Sequence, residues 1–551
     1  MTGLGLTVTE EVKRRVGQHF VLGFHGYDVS DDIKTLIQKY YIGNVILMKR
    51  NVQSAAQTKR LVDALQTLAR EAGQEQPMMI GIDQENGLVS AFSSPTAGTT
   101  FPGAMALGAT GSVELAESIA KASADELSMV GINWVYGPVA DVNTDSRNPV
   151  IGVRSFGDDP EKVAKYVVAT ARGHAAGGVA SCGKHFPGHG DTHVDSHLAL
   201  PVIRKTHAEL AAQELVPFRA LVDARVPSIM TGHMALPLVT GDESPASLAG
   251  EVTRGLLRGE MGYEGVVVTD CLEMDAVADV KQGGCGIEEG AVRALEAGAD
   301  VVMICHTFAR QVGAVKEVYE ALWQGRITLQ ALEESEVRVR KMKEVFGKQQ
   351  SDEGDWGMKF MEMKMQNEDV SRKAYLQSTT VVWNGAGVIP LKVDTVVLFT
   401  PEPESVNRAV DSGDGVLKTS DGVVRNTAAP YYLSLAKSLE KSVNVRHVVY
   451  AAGQEPAAVG NDEGVIFVMR NADLRAWQIE YLDKLVENIQ VPLVLLSSCG
   501  PYDLGHGAGE RFADWTGYVA TYEFTAEALD AAAGVILGTD HCHGKLPVVV
   551  G

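Results

Sequence analysis

Ala180-Ser-Cys-Gly-Lys-His-Phe-Pro-Gly-His-Gly-Asp-Thr-His-Val-Asp-Ser-His197 runs from a compact, strand-like segment straight into a loop crowded with ionisable side chains. From Lys184 to His197 there are one lysine, four histidines and two aspartates, and Pro187, Gly188 and Gly190 break any helix or long strand. Buried charge is costly unless each group is partnered, so this density of ionisable groups points to chemistry rather than packing. Taken alone, the loop leaves three uses open: a metal site of His and Asp ligands, an acid/base site, or a polar surface loop.

The same motif, an apolar run finishing on a charge, recurs along the chain. Candidate strands fall at 20–24, 44–48, 78–83, 133–141, 180–185, 228–233, 265–270 and 300–305. Helical stretches lie between them at 54–72, 112–130, 160–176, 206–224, 253–262 and 288–298. Continuous Val/Ile/Leu runs mark parallel strands covered on both faces. Eight strand-helix units therefore predict an α/β chain with an N-terminal (β/α)8 TIM-like barrel, and an open doubly wound sheet is the alternative. Asp83, Asp141, His185, His233 and Asp270 each close one of these runs, and the C-terminal rim of such a barrel is where its chemistry sits.

A helix expected at 329–346 closes the first unit. The boundaries that follow are 1–347 for the barrel, 348–375 for a polar linker and 376–551 for a smaller α/β sandwich domain. In the second unit, strands are expected at 379–383, 395–400, 447–451, 464–469 and 492–497, with helices at 431–439 and 473–488. No P-loop or dinucleotide glycine fingerprint joins strand to helix there, so no nucleotide is assigned.

Composition narrows the partners. With 49 Lys+Arg against 70 Asp+Glu the net charge is −21, and no basic run is present, which argues against a nucleic acid or an anionic membrane. The six cysteines contain no CxxC pair and read as free thiols rather than a disulfide framework or a cysteine zinc site. No secretory signal and no stretch of about 18 apolar residues is visible, so a soluble cytoplasmic protein is expected. His541-Cys-His543 has ligand-like spacing but reads as a short exposed turn.

Taken together, Lys184-His185-Phe-Pro-Gly-His-Gly-Asp-Thr, Asp195-Ser-His197, Asn148-Pro-Val-Ile-Gly-Val-Arg154-Ser-Phe-Gly, Pro245-Ala-Ser and Val268-Thr-Asp270 resemble the β-N-acetylglucosaminidases of glycoside hydrolase family 3. The likeness covers roughly residues 15–345 and, more weakly, the second unit. It implies a (β/α)8 barrel followed by an α/β domain, and a retaining cleavage of terminal N-acetylglucosamine from small glycosides without a metal or cofactor. Asp270 matches the nucleophile, His197 the proton donor and Asp195 the carboxylate that holds it. Asp83, Arg154, Lys184 and His185 match sugar-binding positions, and His233 is expected to line the same pocket. An imidazole oriented by a carboxylate suits proton transfer near neutral pH. One departure stands out: where many relatives carry Asp-x-Glu-Gly-Gly-Arg-Val, this chain has Asp83-Gln-Glu-Asn-Gly-Leu88-Val. The resemblance then implies one polar contact fewer and a more apolar leaving side.

Other readings compete. His185, His189, Asp191, His193, Asp195 and His197 would suffice for a metal-dependent hydrolase, with the cationic Lys184 arguing against it. A sugar-binding protein with dead chemistry would lack Asp270 or the Asp195–His197 pair, and both are present. A phosphorylase would use the same site with phosphate as acceptor. Chitin fragments and cell-wall pieces stay open as substrates, as does a homodimer.

Overall fold

The computed structural model describes residues 8–192, 200–347, 355–403, 430–505 and 511–550. Eight parallel strands, β1 (Phe20–Leu22), β2 (Asn44–Leu47), β3 (Met79–Ile82), β4 (Trp134–Val135), β5 (Ala180–Phe186), β6 (Ser228–Thr231), β7 (Val266–Cys271) and β8 (Val301–Ile304), close into a barrel in chain order. Successive side chains of a strand face opposite ways, and the two sets separate cleanly. Ile46, Val301 and Met303 join Val21, Met79, Trp134, Cys182 and Val268 in the barrel interior, while Val45, Leu47, Val302 and Ile304 pack outward under the helices.

Within the barrel, two expected elements are interrupted. Strand 133–141 is cut to Trp134–Val135, because Pro138 has no N–H for the ladder; beyond it Val139 makes a lone parallel bridge to Lys184. The helix expected at 206–224 is two helices, His207–Ala212 and Leu215–Asp223. The ring of Pro217 would strike the carbonyl four residues earlier in a continuous helix, and Gln213 leaves helical geometry there, at φ −135° and ψ −78°.

The base of the barrel is tied by Asp300, fully buried where it precedes β8. Its carboxylate accepts from Arg258 at 2.6 Å, from Arg338 at 2.7 Å and from the Val267 N–H at 2.8 Å. The closing helix Leu329–Phe346 is thereby joined to the strands.

The stretch read as a linker, 348–375, contains the start of a 23-residue helix, Trp356–Ser378. It lies against the barrel rather than spanning open solvent: Trp356 Nε1 donates to the Met129 carbonyl and Asn367 to Glu126.

Beyond it, a six-stranded sheet is built from β9 (Thr380–Asn384), β10 (Thr395–Pro401), β11 (Asn444–Tyr450), β12 (Glu463–Met469), β13 (Leu493–Ser497) and β14 (Thr516–Ala520). Its spatial order is β9-β14-β13-β12-β10-β11, parallel except for β9 at the edge. Helices Pro430–Glu440 and Ala526–Leu537 cover one face and Trp477–Val486 the other. Strand β14 was not expected from the sequence; Gly517 and Tyr518 leave it without a continuous aliphatic run.

Glu523 joins the units. Buried and just past β14, its carboxylate accepts from the Gly103 N–H of the barrel at 2.8 Å, from the Tyr375 hydroxyl at 2.7 Å and from Thr525 at 2.9 Å. Burial pushes this carboxyl up from 4.5 to about 7, against the pull of those donors. A carboxyl whose folded-state value is raised makes folding less favourable as pH climbs between the two values. Glu523→Gln should therefore remove a loss of stability between about pH 4.5 and pH 7, and raise the unfolding midpoint at pH 8. Its amide nitrogen can donate to Tyr375 and Thr525 while the oxygen keeps Gly103. Unfolding profiles of the two proteins that stay parallel across this window would rule the effect out.

Candidate active site

The C-terminal rim of the barrel gathers the charges. Asp83 follows β3 and Glu85 stands two residues on, so that both face the same way along the extended chain. Lys184, on β5, donates to Asp83 Oδ1 at 2.8 Å and pairs with Glu85 Oε1 at 2.6 Å. Arg154, on the short turn Gly152–Arg154, grips Glu85 with two bonds of 2.8 Å. The Lys184, Glu85 and Arg154 side chains are 3%, 5% and 7% exposed, whereas Asp83 keeps 34% open to the mouth.

Such a row survives burial because its charges alternate. Burial would raise the Glu85 carboxyl, but the Arg154 guanidinium and the Lys184 ammonium hold it at about 2. Burial works against both cations as well, and the surrounding carboxylates lift them above their ordinary values. Both stay charged across the physiological range.

His185 is fixed next to this row. Its Nδ1 lies 2.8 Å from Asp141 Oδ2, and its Nε2 is 3.5 Å from Arg154 Nη2. Asp141, fully buried, also accepts the His189 N–H at 2.7 Å. Burial opposes its charge, and the His185 ring with these N–H groups brings it below the usual carboxylate range. A carboxylate on Nδ1 orients the ring and leaves Nε2 toward Arg154.

The base of the following loop is packed closely. A Cβ on Gly190 would sit 1.7 Å from the Val142 carbonyl oxygen, so only glycine passes there. His189 is buried, its Nδ1 3.0 Å from Thr192 Oγ1, and burial lowers its pKa to about 4. Its ring is therefore neutral near pH 7.

Across the mouth, β7 delivers Asp270. Its Oδ1 accepts the Cys271 N–H at 2.7 Å, and the Cys271 carbonyl lies 3.0 Å from His233 Nε2. The other ring nitrogen of His233 contacts Ser247 Oγ at 2.7 Å. From the second domain, Tyr502 reaches the rim, accepting from Asn143 at 3.0 Å, and with Arg470 and Phe524 it faces the 146–153 loop that leads into Arg154.

Residues 11–342 match the family described as the glycosyl hydrolase family 3 N terminal domain. The chain belongs to glycosyl hydrolase family 3. This family-3 chain is 34% identical over 333 residues to a β-hexosaminidase A from Pseudoalteromonas piscicida, covering 57% of its own length and 55% of that relative. The structure of a glycoside hydrolase family 3 β-N-acetylglucosaminidase from Paenibacillus sp. str. FPU-7 superposes with TM-score 0.86 at 32% identity, covering 98% of this chain and 99% of that one. A fungal multi-domain GH3 β-N-acetylglucosaminidase, which also carries a GCN5-related glucosamine N-acetyltransferase region, matches with TM-score 0.86 at 34% identity. That match covers 98% of this chain and 60% of the fungal one. The chain thus spans a little over half of the curated relative.

Within the family-3 barrel, Asp83, Arg154, Lys184 and His185 form one contiguous group, with His233 and Asp270 adjoining each other through Cys271. Asp195 and His197 lie outside the described residues, as does His193. Sequence reasoning assigned no role to Glu85 or Asp141, although these two carboxylates hold the cations and the imidazole in place. The Asp-x-Glu spacing was the available signal for Glu85, since an i, i+2 pair in an extended segment shares a face.

Of the loop's six ligand-like residues, the three that are described have partners outside any metal-like cluster: His185 contacts Asp141, His189 contacts Thr192, and Asp191 pairs with Lys205 at 2.8 Å. Among the described residues, the three that do converge in metal-ligand fashion are Cys271, Cys305 and His306.

Proposed function

We propose that this chain is an exo-acting, retaining β-N-acetylglucosaminidase that releases terminal N-acetylglucosamine from small glycosides. The observation that carries the reading is the buried row Asp83–Lys184–Glu85–Arg154 at the barrel mouth opposite Asp270. Such a row is a rigid set of charge-assisted donors and acceptors for sugar hydroxyls, and Asp83 is its open end. The names of the Paenibacillus neighbour, matched over 99% of its chain, and of the curated relative support the substrate class.

In this reading Asp270 Oδ attacks the anomeric carbon as the glycosidic bond breaks, forming a glycosyl-enzyme ester. His197, oriented by Asp195, protonates the departing oxygen. It then takes a proton from the water that releases the sugar with its original configuration. An imidazole carries no negative charge in either protonation state, so it does not repel an anionic group as a carboxylate would, and the loop that bears it starts from the tightly packed Gly190 corner.

Turnover of an aryl N-acetylglucosaminide and an aryl glucoside, each with and without chelator and with and without phosphate, tests the reading. The expected result is cleavage of the N-acetylglucosaminide, β-anomer formed first, indifferent to chelator and to phosphate. Loss of activity in chelator would favour a metal-dependent hydrolase. A sugar 1-phosphate product would make phosphate the acceptor.

The donor has its own test. His197→Ala should slow substrates with poor leaving groups far more than activated aryl glycosides, because only the former need a proton in the bond-breaking step. Equal losses on both would argue against a proton-donor role.

A further inference from the structure

Beside Asp270, two neighbouring strand ends converge on a second set of reactive side chains. Cys271 closes β7, and Cys305 and His306 follow β8, with Met303 in register opposite Cys271. Their two Sγ atoms and one imidazole nitrogen lie within 4.8 Å of one another. Glu273 locks the arrangement: Oε2 accepts the N–H groups of Cys305 and His306 at 2.9 and 2.6 Å, and Oε1 that of Thr307 at 2.9 Å. The same Oε2 is 3.8 Å from Cys271 Sγ. Arg50 closes the far side, donating to the Cys305 carbonyl at 2.7 Å and to Phe24 at 3.0 Å.

We propose that Cys271, Cys305 and His306 form a binding site for one soft divalent cation, Zn2+ or Cd2+, whose occupancy shuts down the adjoining Asp270. Two thiolates with an imidazole are a preferred donor set for such ions. Tetrahedral zinc, with Zn–S near 2.3 Å and Zn–N near 2.0 Å, requires ligand atoms about 3.5 Å apart, so the ring and thiols need shift by only about 1 Å. Glu273 or a water supplies the fourth position.

Charge favours the ion as well. With both thiols ionised, Cys271, Cys305 and Glu273 outweigh Arg50 by two negative charges, which a divalent cation neutralises. The two thiol protons pass to solvent as the metal–sulfur bonds form. Access is open, because His306 is exposed and Cys271 half-buried, while Cys305 forms the floor.

The link to Asp270 is the Cys271 backbone. Its N–H is bonded to Asp270 Oδ1 and its carbonyl faces His233. Drawing the Cys271 side chain onto a metal shifts both contacts, and a displacement of about 1 Å at a reacting group can cost about 100-fold in rate. The binding half of this proposal is independent of the reading of Asp270; the effect on turnover rests on it.

The experiment titrates the full chain, reduced and then freed of reductant, with Cd2+. It follows thiolate-to-metal ultraviolet absorption and aryl N-acetylglucosaminide turnover in the same samples. The expected result is one equivalent bound, with absorption rising in step with loss of turnover. Cys305→Ser and His306→Ala each remove one ligand, and each should weaken Cd2+ and Zn2+ inhibition by about 10-fold or more while turnover without metal stays near that of the parent. His306→Ala, at an exposed position, carries the test if the buried serine perturbs folding. Saturating Cd2+ without a thiolate band, or inhibition undiminished in both variants, overturns the site. A full band with unaltered turnover overturns the shut-down. An enzyme inactive before any metal is added speaks instead against the proposed function.

Discussion

Asp270→Ala is expected to leave less than about one part in a thousand of kcat, the scale of loss when a covalent nucleophile is removed. The fold should survive, since Asp270 is a rim residue whose carboxylate accepts from the neighbouring Cys271 N–H. Unfolding curves of the two proteins should nearly coincide while turnover collapses. Restoration provides the sharper readout. With an activated aryl glycoside, added azide can occupy the space left by the carboxylate and attack the anomeric carbon from the same side, giving a glycosyl azide of inverted configuration. Near-normal turnover without azide would refute the assignment of Asp270.

The second large effect concerns a residue that does not attack anything. Glu85→Ala strips the shared counter-ion from Arg154 and Lys184, whose side chains are 7% and 3% exposed. Breaking a buried ion pair by removing one partner costs roughly 3–5 kcal/mol, because the remaining charge is left unpaired. A fall of that size in unfolding free energy is expected, together with loss of turnover as Lys184 and Arg154 move from their positions against Asp83 and His185.

Glu85→Gln separates volume from charge and carries a pH signature. The Glu85 carboxyl is depressed from 4.5 to about 2 in the folded chain. Its contribution to stability is therefore complete above about pH 4.5 and is lost as pH falls from there toward 2. The glutamine variant should be less stable at neutral pH and should show a shallower loss of stability in acid. If Glu85→Ala unfolds like the parent protein and keeps its turnover, the ion row does not organise the site.

Most of the barrel was legible because its signals are local. Each of the eight expected runs overlaps an observed strand, and the strands follow one another round the barrel in chain order. Burial on both faces demands apolar side chains at every position, and such a run is visible in a window of a few residues. The exceptions also have local causes, with proline interrupting β4 and the 206–224 helix. The long helix Trp356–Ser378 was hidden because four methionines and many charged residues mask its apolar face. Only contacts with Met129, Glu126 and Glu523 make clear which side is inward.

The site was legible as an inventory rather than as an arrangement. Asp83, Arg154, Lys184, His185, His233 and Asp270 could all be named from strand ends and motif likeness. Their partners could not. Lys184 meets Asp83 across 101 positions of chain, and Arg154 meets Glu85 across 69. Nothing in either neighbourhood declares which carboxylate will neutralise which cation. The convergence of Cys271 with Cys305 and His306 is of the same kind: three residues without a shared motif, brought together by the closing register of β7 against β8.

By itself, then, the amino-acid order determined the barrel strands, their succession and the rim on which charges would fall, since these follow from side-chain periodicity and backbone chemistry over a few residues. Tertiary structure alone decided that Glu85 and Asp141 would be the buried counter-charges, and that a thiol pair would stand next to Asp270. Barrel closure sets those distances, and the strength of a charge pair or a ligand cluster depends on distance and burial, neither of which is a property of a short stretch of chain.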